Sequence, residues 1–350
     1  KGPANESGQI LTFTVTNNNN ALFSAQPAIN STGRLTYTPA ANANGVATVS
    51  VTLKDNGGVA SGGVDTSATQ TFTITVNTVN DAPTITVPAT VTVNEDSGAY
   101  TQVAFATGIG RGGGTDESGQ VLNLSVSNNN NALFSAQPSI DLGTGTLTFT
   151  PAANAFGSAT VTVTLQDDGG TANGGVDTTT RSFVITVNSV NDVPSFTKGG
   201  DQSIDEDAGA QSVVGWATDI TRGPANEDEQ TLSFLVTTDK DSLFQTLPTI
   251  NSSTGTLSYA LKPDAFGVIT VTVRLADNGG TVYGGIDTSA AQTFTITARA
   301  INDQPTITIK GNVTVNEDNG AYTDNSYATN IGVGGSGYEK IGRASCRERV

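Results

Sequence analysis

TFTITVNTVNDAP spans residues 71–83, SFVITVNSVNDVP residues 182–194 and TFTITARAINDQP residues 293–305. Each copy opens with a period of two. Phe183, Ile185 and Val187 fall on one face while Val184, Thr186 and Asn188 fall on the other, the pattern of a half-buried β-strand. Each copy closes on a polar Asn-Asp-x-Pro linker. The linkers begin at Val79, Val190 and Ile301, a spacing of 111 residues both times. A fixed period of this kind identifies modules directly. The acidic triplets Asn94-Glu95-Asp96, Asp205-Glu206-Asp207 and Asn316-Glu317-Asp318 keep the same 111-residue spacing. Between these anchors, one-residue indels fall in turns, which tolerate length changes; Ile140-Asp141-Leu142-Gly143 replaces the shorter Ile29-Asn30-Ser31.

The period predicts a truncated module at 1–83, complete modules at 84–194 and 195–305, and the N-terminal part of a fourth at 306–340. Within a module, Leu122, Leu124 and Val126 alternate with polar residues, as do Val161, Val163 and Leu165. Gly-, Asn- and Asp-rich turns separate the segments. About seven strands in 111 residues give an all-β fold of tandem Greek-key β-sandwiches, of cadherin or immunoglobulin type, expected as an elongated rod. The fourth copy keeps register through Ile331 and Glu339 and then departs. Residues 341–350, IGRASCRERV, resemble one reading frame of a common sequencing adapter and are read as a non-native tail. The one cysteine, Cys346, lies in that tail. The absence of Met leads us to expect an internal fragment.

Composition excludes several chemistries. Without His there is no Ser-His-Asp relay and no imidazole base or metal ligand. A net charge of −16 opposes phosphate backbones, so no nucleic-acid partner is expected. No apolar run approaches the ~18 residues of a membrane span.

Carboxylates recur at equivalent places in every module: the acidic triplet, the Ala-Thr-Gly/Asp stretch with its following Asp-Glu, the Asp-x-Gly-Gly turn and the Asn-Asp linker. Two carboxylates about 4 Å apart repel by roughly 1 to 4 kcal/mol, depending on the local dielectric, so a site that collects them needs a cation. Hard oxygen ligands without His or Cys suit Ca²⁺ better than Zn²⁺.

The order Asn-Glu-Asp, Ala-Thr-Asp-Ile, Leu-x-Asp-Asn-Gly-Gly and TFTITV-x-x-VNDAP is similar to the bacterial cadherin-like tandem repeats of very large secreted adhesins and surface proteins. The resemblance covers nearly all of residues 1–340. It implies Ca²⁺ at module junctions. Carried over residue by residue, it implies Glu95, Asn191, Asp192, Asp219 and Asp277 as ligands at the junction of modules two and three. The junction before would use Asn80, Asp81 and Asp167, and the one after would use Glu206, Asn302 and Asp303. The sequence also departs from the family. The acidic Leu-Asp-Arg-Glu turn of cadherins is replaced in module two by PAANAFG at 151–157, and Asp219 is matched by Gly108 and Asn330. Unequal junctions follow, with the Asp219 junction expected to bind more tightly than the Gly108 one.

A glycosidase pair at Glu206 and Asp207 is rejected, because adjacent strand residues point to opposite faces. Gly110–Gly114 lacks the Lys-Ser/Thr and helix of a phosphate loop. Trp216, matched by Phe105 and Tyr327, is read as a core aromatic. The expectation is a non-enzymatic, calcium-binding structural or adhesive segment of an extracellular protein. Its expected partners are Ca²⁺ and other adhesin chains, surface receptors or polysaccharide. The alternative is a glycan-binding or accessory module of a secreted hydrolase, which the aromatic content of 6% disfavours.

Overall fold

The computed structural model describes residues 6–335; the tail at 341–350, with Cys346, lies outside them. The described residues form strands and short 3-10 turns, with no α-helix among them. The chain divides into two compact units, residues 1–188 and 189–350.

In the first unit, Asn123–Asn128, Gly157–Gln166, Thr178–Asn188 and Thr90–Asn94 form a four-stranded sheet in that order. Phe134–Ile140, Leu147–Pro151 and Tyr100–Gln102 form a three-stranded sheet. The alternation seen in sequence decides what lies inside. Along Gly157–Gln166, Ala159, Val161, Val163 and Leu165 are buried while the intervening threonines are not. They meet Leu147, Phe149, Phe183 and Ile185 in one core, in the manner of two sheets packed face to face. Phe105 and Phe183 pack with ring centroids 4.7 Å apart and planes inclined by 60°. A smaller strand set precedes this one, with Thr12–Asn17, Gly45–Lys54 and Gln70–Val76 in one sheet and Phe23–Ile29 with Leu35–Pro39 in another. Its core is Leu22, Phe23, Ala47, Val49 and Ile74.

The second unit repeats the complete set. Gln202–Asp205, Gln292–Arg299, Gly267–Ala276 and Ser233–Thr238 form the larger sheet, and Ala210–Val213, Leu257–Leu261 and Phe244–Ile250 the smaller. Trp216 is a core residue, as expected. Its ring packs against Phe294 at 4.4 Å and its Nε1–H donates to the Gly200 carbonyl at 3.0 Å. Thr306–Ile309 pairs with Ala328–Gly332 beyond this set.

One pairing in each complete set is parallel. Thr90–Asn94 runs parallel to Thr178–Asn188, with Asn94 opposite Asn188, and Gln202–Asp205 runs parallel to Gln292–Arg299, with Asp205 opposite Arg299. The first and last strands of a set both run toward its exit. This register places Glu95 beside Asn188 and Glu206 beside Arg299, to whose carbonyls their N–H groups donate at 2.9 Å.

Candidate metal centre

Two of the three linker asparagines, Asn80 and Asn191, dock into the turn that ends the long strand. In the first unit, Asn80 Nδ2 donates to Asp167 Oδ1 at 2.9 Å and to the Val176 carbonyl at 2.8 Å. Its Oδ1 accepts from Gln120 Nε2 at 2.5 Å. The second unit repeats this clamp: Asn191 Nδ2 donates to Asp277 Oδ1 at 3.0 Å and to the Ile286 carbonyl at 2.8 Å, and Gln230 Nε2 donates to Asn191 Oδ1 at 2.7 Å. The Asp-x-Gly-Gly turn needs its first glycine here. A Cβ on Gly169 would stand 1.8 Å from Asn80 Oδ1, and one on Gly279 would stand 1.7 Å from Asn191 Oδ1. Asn80 and Asn191, expected as ligands, have their amide groups engaged in holding the linker.

The residue after each asparagine meets a buried glutamate. The Asp81 N–H donates to Glu117 Oε1 at 3.2 Å and the Asp192 N–H to Glu227 Oε1 at 2.7 Å. Glu117 and Glu227 are each only 3% exposed. Their Oε2 atoms, together with Asp167 Oδ2 and Asp277 Oδ2, are buried and have no hydrogen-bond partner. Asp192 borders the second of these places, since a Cβ on Gly223 would lie 2.0 Å from Glu227 Oε2 and 3.2 Å from Asp192 Cβ, while the Asp81 carboxylate packs at Gly113, where a Cβ would lie 1.8 Å from its Oδ2. Burial pushes the Glu227 carboxyl above its ordinary value of 4.5; the charges of Asp192 and Asp277 push the same way, against hydrogen bonds from the Asp192 N–H and Gln230. Each group is therefore a set of hard, negative oxygens with orphaned acceptor atoms. A hard cation is the species that such a set accommodates.

A third group closes the exit end of the second unit. Glu206, 4% exposed, accepts from the Ile301 N–H through Oε1 at 2.8 Å. Asp207 Oδ1 accepts from the Asp264 N–H at 3.0 Å. Carboxylate oxygens of Asp207, Asp264 and Asp303 lie within 4.8 Å of one another. The linker differs here, since Asn302 is exposed and its Nδ2 donates to the Asp303 carbonyl at 3.1 Å. Glu95 is the buried counterpart of Glu206 in the first unit.

Asp219 does not take part in these groups. It is exposed, accepts from the Thr218 hydroxyl at 3.2 Å and sits at φ +50°. Its counterparts Gly108 and Asn330 have φ +61° and +49°. Gly, Asn and Asp are the residues that tolerate left-handed backbone most readily, so a conformational requirement accounts for the residues found at this position.

Sequence reasoning pointed to the Asp-Glu stretch without choosing Glu117 or Glu227 as ligands, and it missed Asp207 and Asp264. A signal existed for the glutamates, because Glu-x-x-Gln recurs at 6–9, 117–120 and 227–230. The glutamate bonds the linker backbone and the glutamine bonds its asparagine. Asp264 lies in KPDAFG at 262–267, the third-module equivalent of PAANAFG.

An open depression in the first unit, lined by Ala106, Ile109, Arg111, Gln120, Leu122 and Thr144 among others, contains no aromatic side chain on which a sugar ring would stack.

Residues 80–179 match the family model described as bacterial Ig domain. This one segment is thus similar to a bacterial Ig domain, and the described residues share with it an all-β fold of packed sheets. Solved structures similar to this chain include the human desmocollin-1 ectodomain, at 14% identity and TM-score 0.35, covering 87% of this chain and 57% of that one. The EC22-24 segment of mouse cadherin-23 is 16% identical with TM-score 0.40, covering 83% of this chain and 86% of that one. The EC1-3 segment of mouse protocadherin-24 is 13% identical with TM-score 0.36, covering 82% and 90%. The chain therefore spans a little over half of the desmocollin-1 ectodomain. No curated protein matches it.

Proposed function

We propose that this chain is a non-enzymatic, calcium-binding structural segment of an extracellular adhesive or cell-surface protein, with Ca²⁺ held at the linker end of each sandwich. The observation that carries the reading is the repeated pair of buried, unpartnered carboxylate oxygens, Glu117 Oε2 with Asp167 Oδ2 and Glu227 Oε2 with Asp277 Oδ2. The linker residues Asp81 and Asp192 reach the same glutamates through their N–H groups. Leaving such oxygens buried and charged is costly unless a cation answers them. A divalent ion would join the linker to the sandwich it leads into and so fix the start of each module. Asp207, Asp264 and Asp303, with buried Glu206, would hold an ion in the same way where the next linker leaves the second unit. Glu95 is the equivalent buried acid in the first unit. The sites fall on the repeat, which suits a structural role better than a single reactive centre.

Thermal melting in EGTA and in millimolar Ca²⁺ tests the reading. Extracellular calcium modules bind at about 10⁻⁴ to 10⁻³ M. At ~10 times the dissociation constant one site adds roughly 1.4 kcal/mol, so the melting midpoint is expected to rise by a few degrees. An unchanged midpoint would overturn it.

A further inference from the structure

Three turns of the chain share one plan: Asp55-Asn56-Gly57-Gly58, Asp167-Asp168-Gly169-Gly170 and Asp277-Asn278-Gly279-Gly280. In each, the first aspartate accepts the N–H of the first glycine through Oδ1, at 2.9, 3.1 and 2.9 Å. The second residue also uses a single oxygen. Asn56 Oδ1 accepts from the Ile10 N–H, Asp168 Oδ1 from the Val121 N–H and Asn278 Oδ1 from the Thr231 N–H, each at 2.8 Å. The hydrogen bond made here is therefore the same whether an amide or a carboxylate stands at the position, and Asp168 is the carboxylate case.

Asparagine is a thermolabile residue, and the surroundings of Asn278 favour its reaction with the glycine that follows. Gly279 has no Cβ to block the approach of its own nitrogen to the Asn278 side chain. The Thr231 N–H holds the carboxamide oxygen and draws electron density from the carbon, as a donor does for any carbonyl under attack. Both residues are exposed, so water reaches them.

We propose that Asn278-Gly279 is a site of spontaneous modification that undoes the linker socket of the second unit with time. The Gly279 nitrogen attacks Asn278 Cγ. An N–Cγ bond forms, the Cγ–Nδ2 bond breaks, and ammonia leaves with the proton of the Gly279 nitrogen. Water then opens the cyclic imide. Addition at Cγ gives an aspartate, the residue type already present at 168. Addition at the main-chain carbonyl carbon gives an isoaspartate, whose main chain runs through the side-chain carbon and is longer by that carbon ahead of Gly279. The socket has no room for the change, because a Cβ on Gly279 would already stand 1.7 Å from Asn191 Oδ1. Moving Gly279 moves Asn191, and with it the bonds from Asn191 Nδ2 to Asp277 and to the Ile286 carbonyl. In the first unit the reacting position is Asp168, and an ionised carboxylate is a far poorer electrophile than an amide, so the socket of Asn80 endures. The proposal does not rest on calcium.

Ageing the full chain in EGTA at neutral pH tests it, with a urea-denatured sample as the clock. When the denatured sample has converted most of its Asn-Gly steps, the folded chain should carry isoaspartate at 278 and none at 168, read by peptide mapping and by isoaspartyl methyltransferase labelling. The aged chain should melt lower than the fresh one. Ile286, whose N–H donates to the Asn191 carbonyl at 3.0 Å, should exchange its amide hydrogen faster. Asn278→Asp ages as the parent does at every other asparagine, so it isolates this step; its melting point and its Ile286 exchange should not change with age. A folded chain that keeps Asn278 intact while the denatured sample converts would overturn the proposal. So would isoaspartate that accumulates equally at 168 and 278, or that leaves Ile286 exchange at its fresh value. An Asn278→Asp chain that loses as much stability on ageing as the parent would do the same.

Discussion

Glu227 has one oxygen on the Asp192 N–H and a second, buried, with no partner. Burial and two neighbouring carboxylates raise its pKa above 4.5. A raised folded-state value means that the native state holds its proton more tightly than the unfolded chain does. Its contribution to stability is therefore full below the unfolded value and is lost as pH rises through the folded one. In EGTA, Glu227→Gln should raise the melting midpoint at pH 7 and flatten the decline above pH 4.5, because the amide keeps the Oε1 acceptor without the charge. The same change should shrink the calcium-induced shift. A variant that melts lower than the parent in EGTA at pH 7 would contradict this. Asp219 makes the opposite case. Asp219→Gly should leave calcium affinity unchanged in calorimetry, whereas Asp264→Asn should weaken binding to the Asp207, Asp264 and Asp303 group by removing one of its charged ligands. A calcium affinity that falls with Asp219→Gly would return that residue to the ligand set.

At the scale of the element, the Asp-x-Gly-Gly turn is the socket for the linker. Gly279 lies against Asn191 Oδ1 so closely that a methyl group would displace it, and Asn191 in turn orients Asp277. Gly279→Ala should destabilise the second unit by about 1–3 kcal/mol, the usual cost of forcing atoms into a filled space, and should reduce its calcium response. Gly200→Ala is the control, because a Cβ there meets nothing within 4 Å. Equal melting points for the two variants, measured in denaturant and by heat, would remove the clamp from the account. The parallel pairing of first and last strands does comparable work at the other end. It brings Glu206 beside the outgoing linker, where the Ile301 N–H reaches it.

On the scale of the whole molecule, the described residues hold three separate hydrophobic clusters. Chains with separate cores do not unfold in one cooperative step. The cluster around Leu22, Phe23 and Ile74 is the smallest, and Leu35 and Tyr37 beside it are partly bare. Heating in EGTA should therefore give more than one transition. Hydrogen exchange should show the strands Phe23–Ile29 and Leu35–Pro39 opening before Gly157–Gln166 and Gly267–Ala276. A single transition with uniform protection would refute the ordering.

The repeat, the strand alternation and the turn glycines were legible in the sequence because each depends on residues close together in the chain. They gave the β-sandwich class, placed Trp216 in a core and located the acidic linkers. The members of the metal groups were not fully legible, since they come from far apart in sequence. Asp81 meets Glu117, and Asn80 meets Asp167, 87 positions on. Whether an asparagine clamps the linker depends on which partners reach its amide, and whether an aspartate joins an acidic group depends on which carboxylates the fold brings near it. Tertiary structure decided both, because strand register and the loops it brings together set those distances.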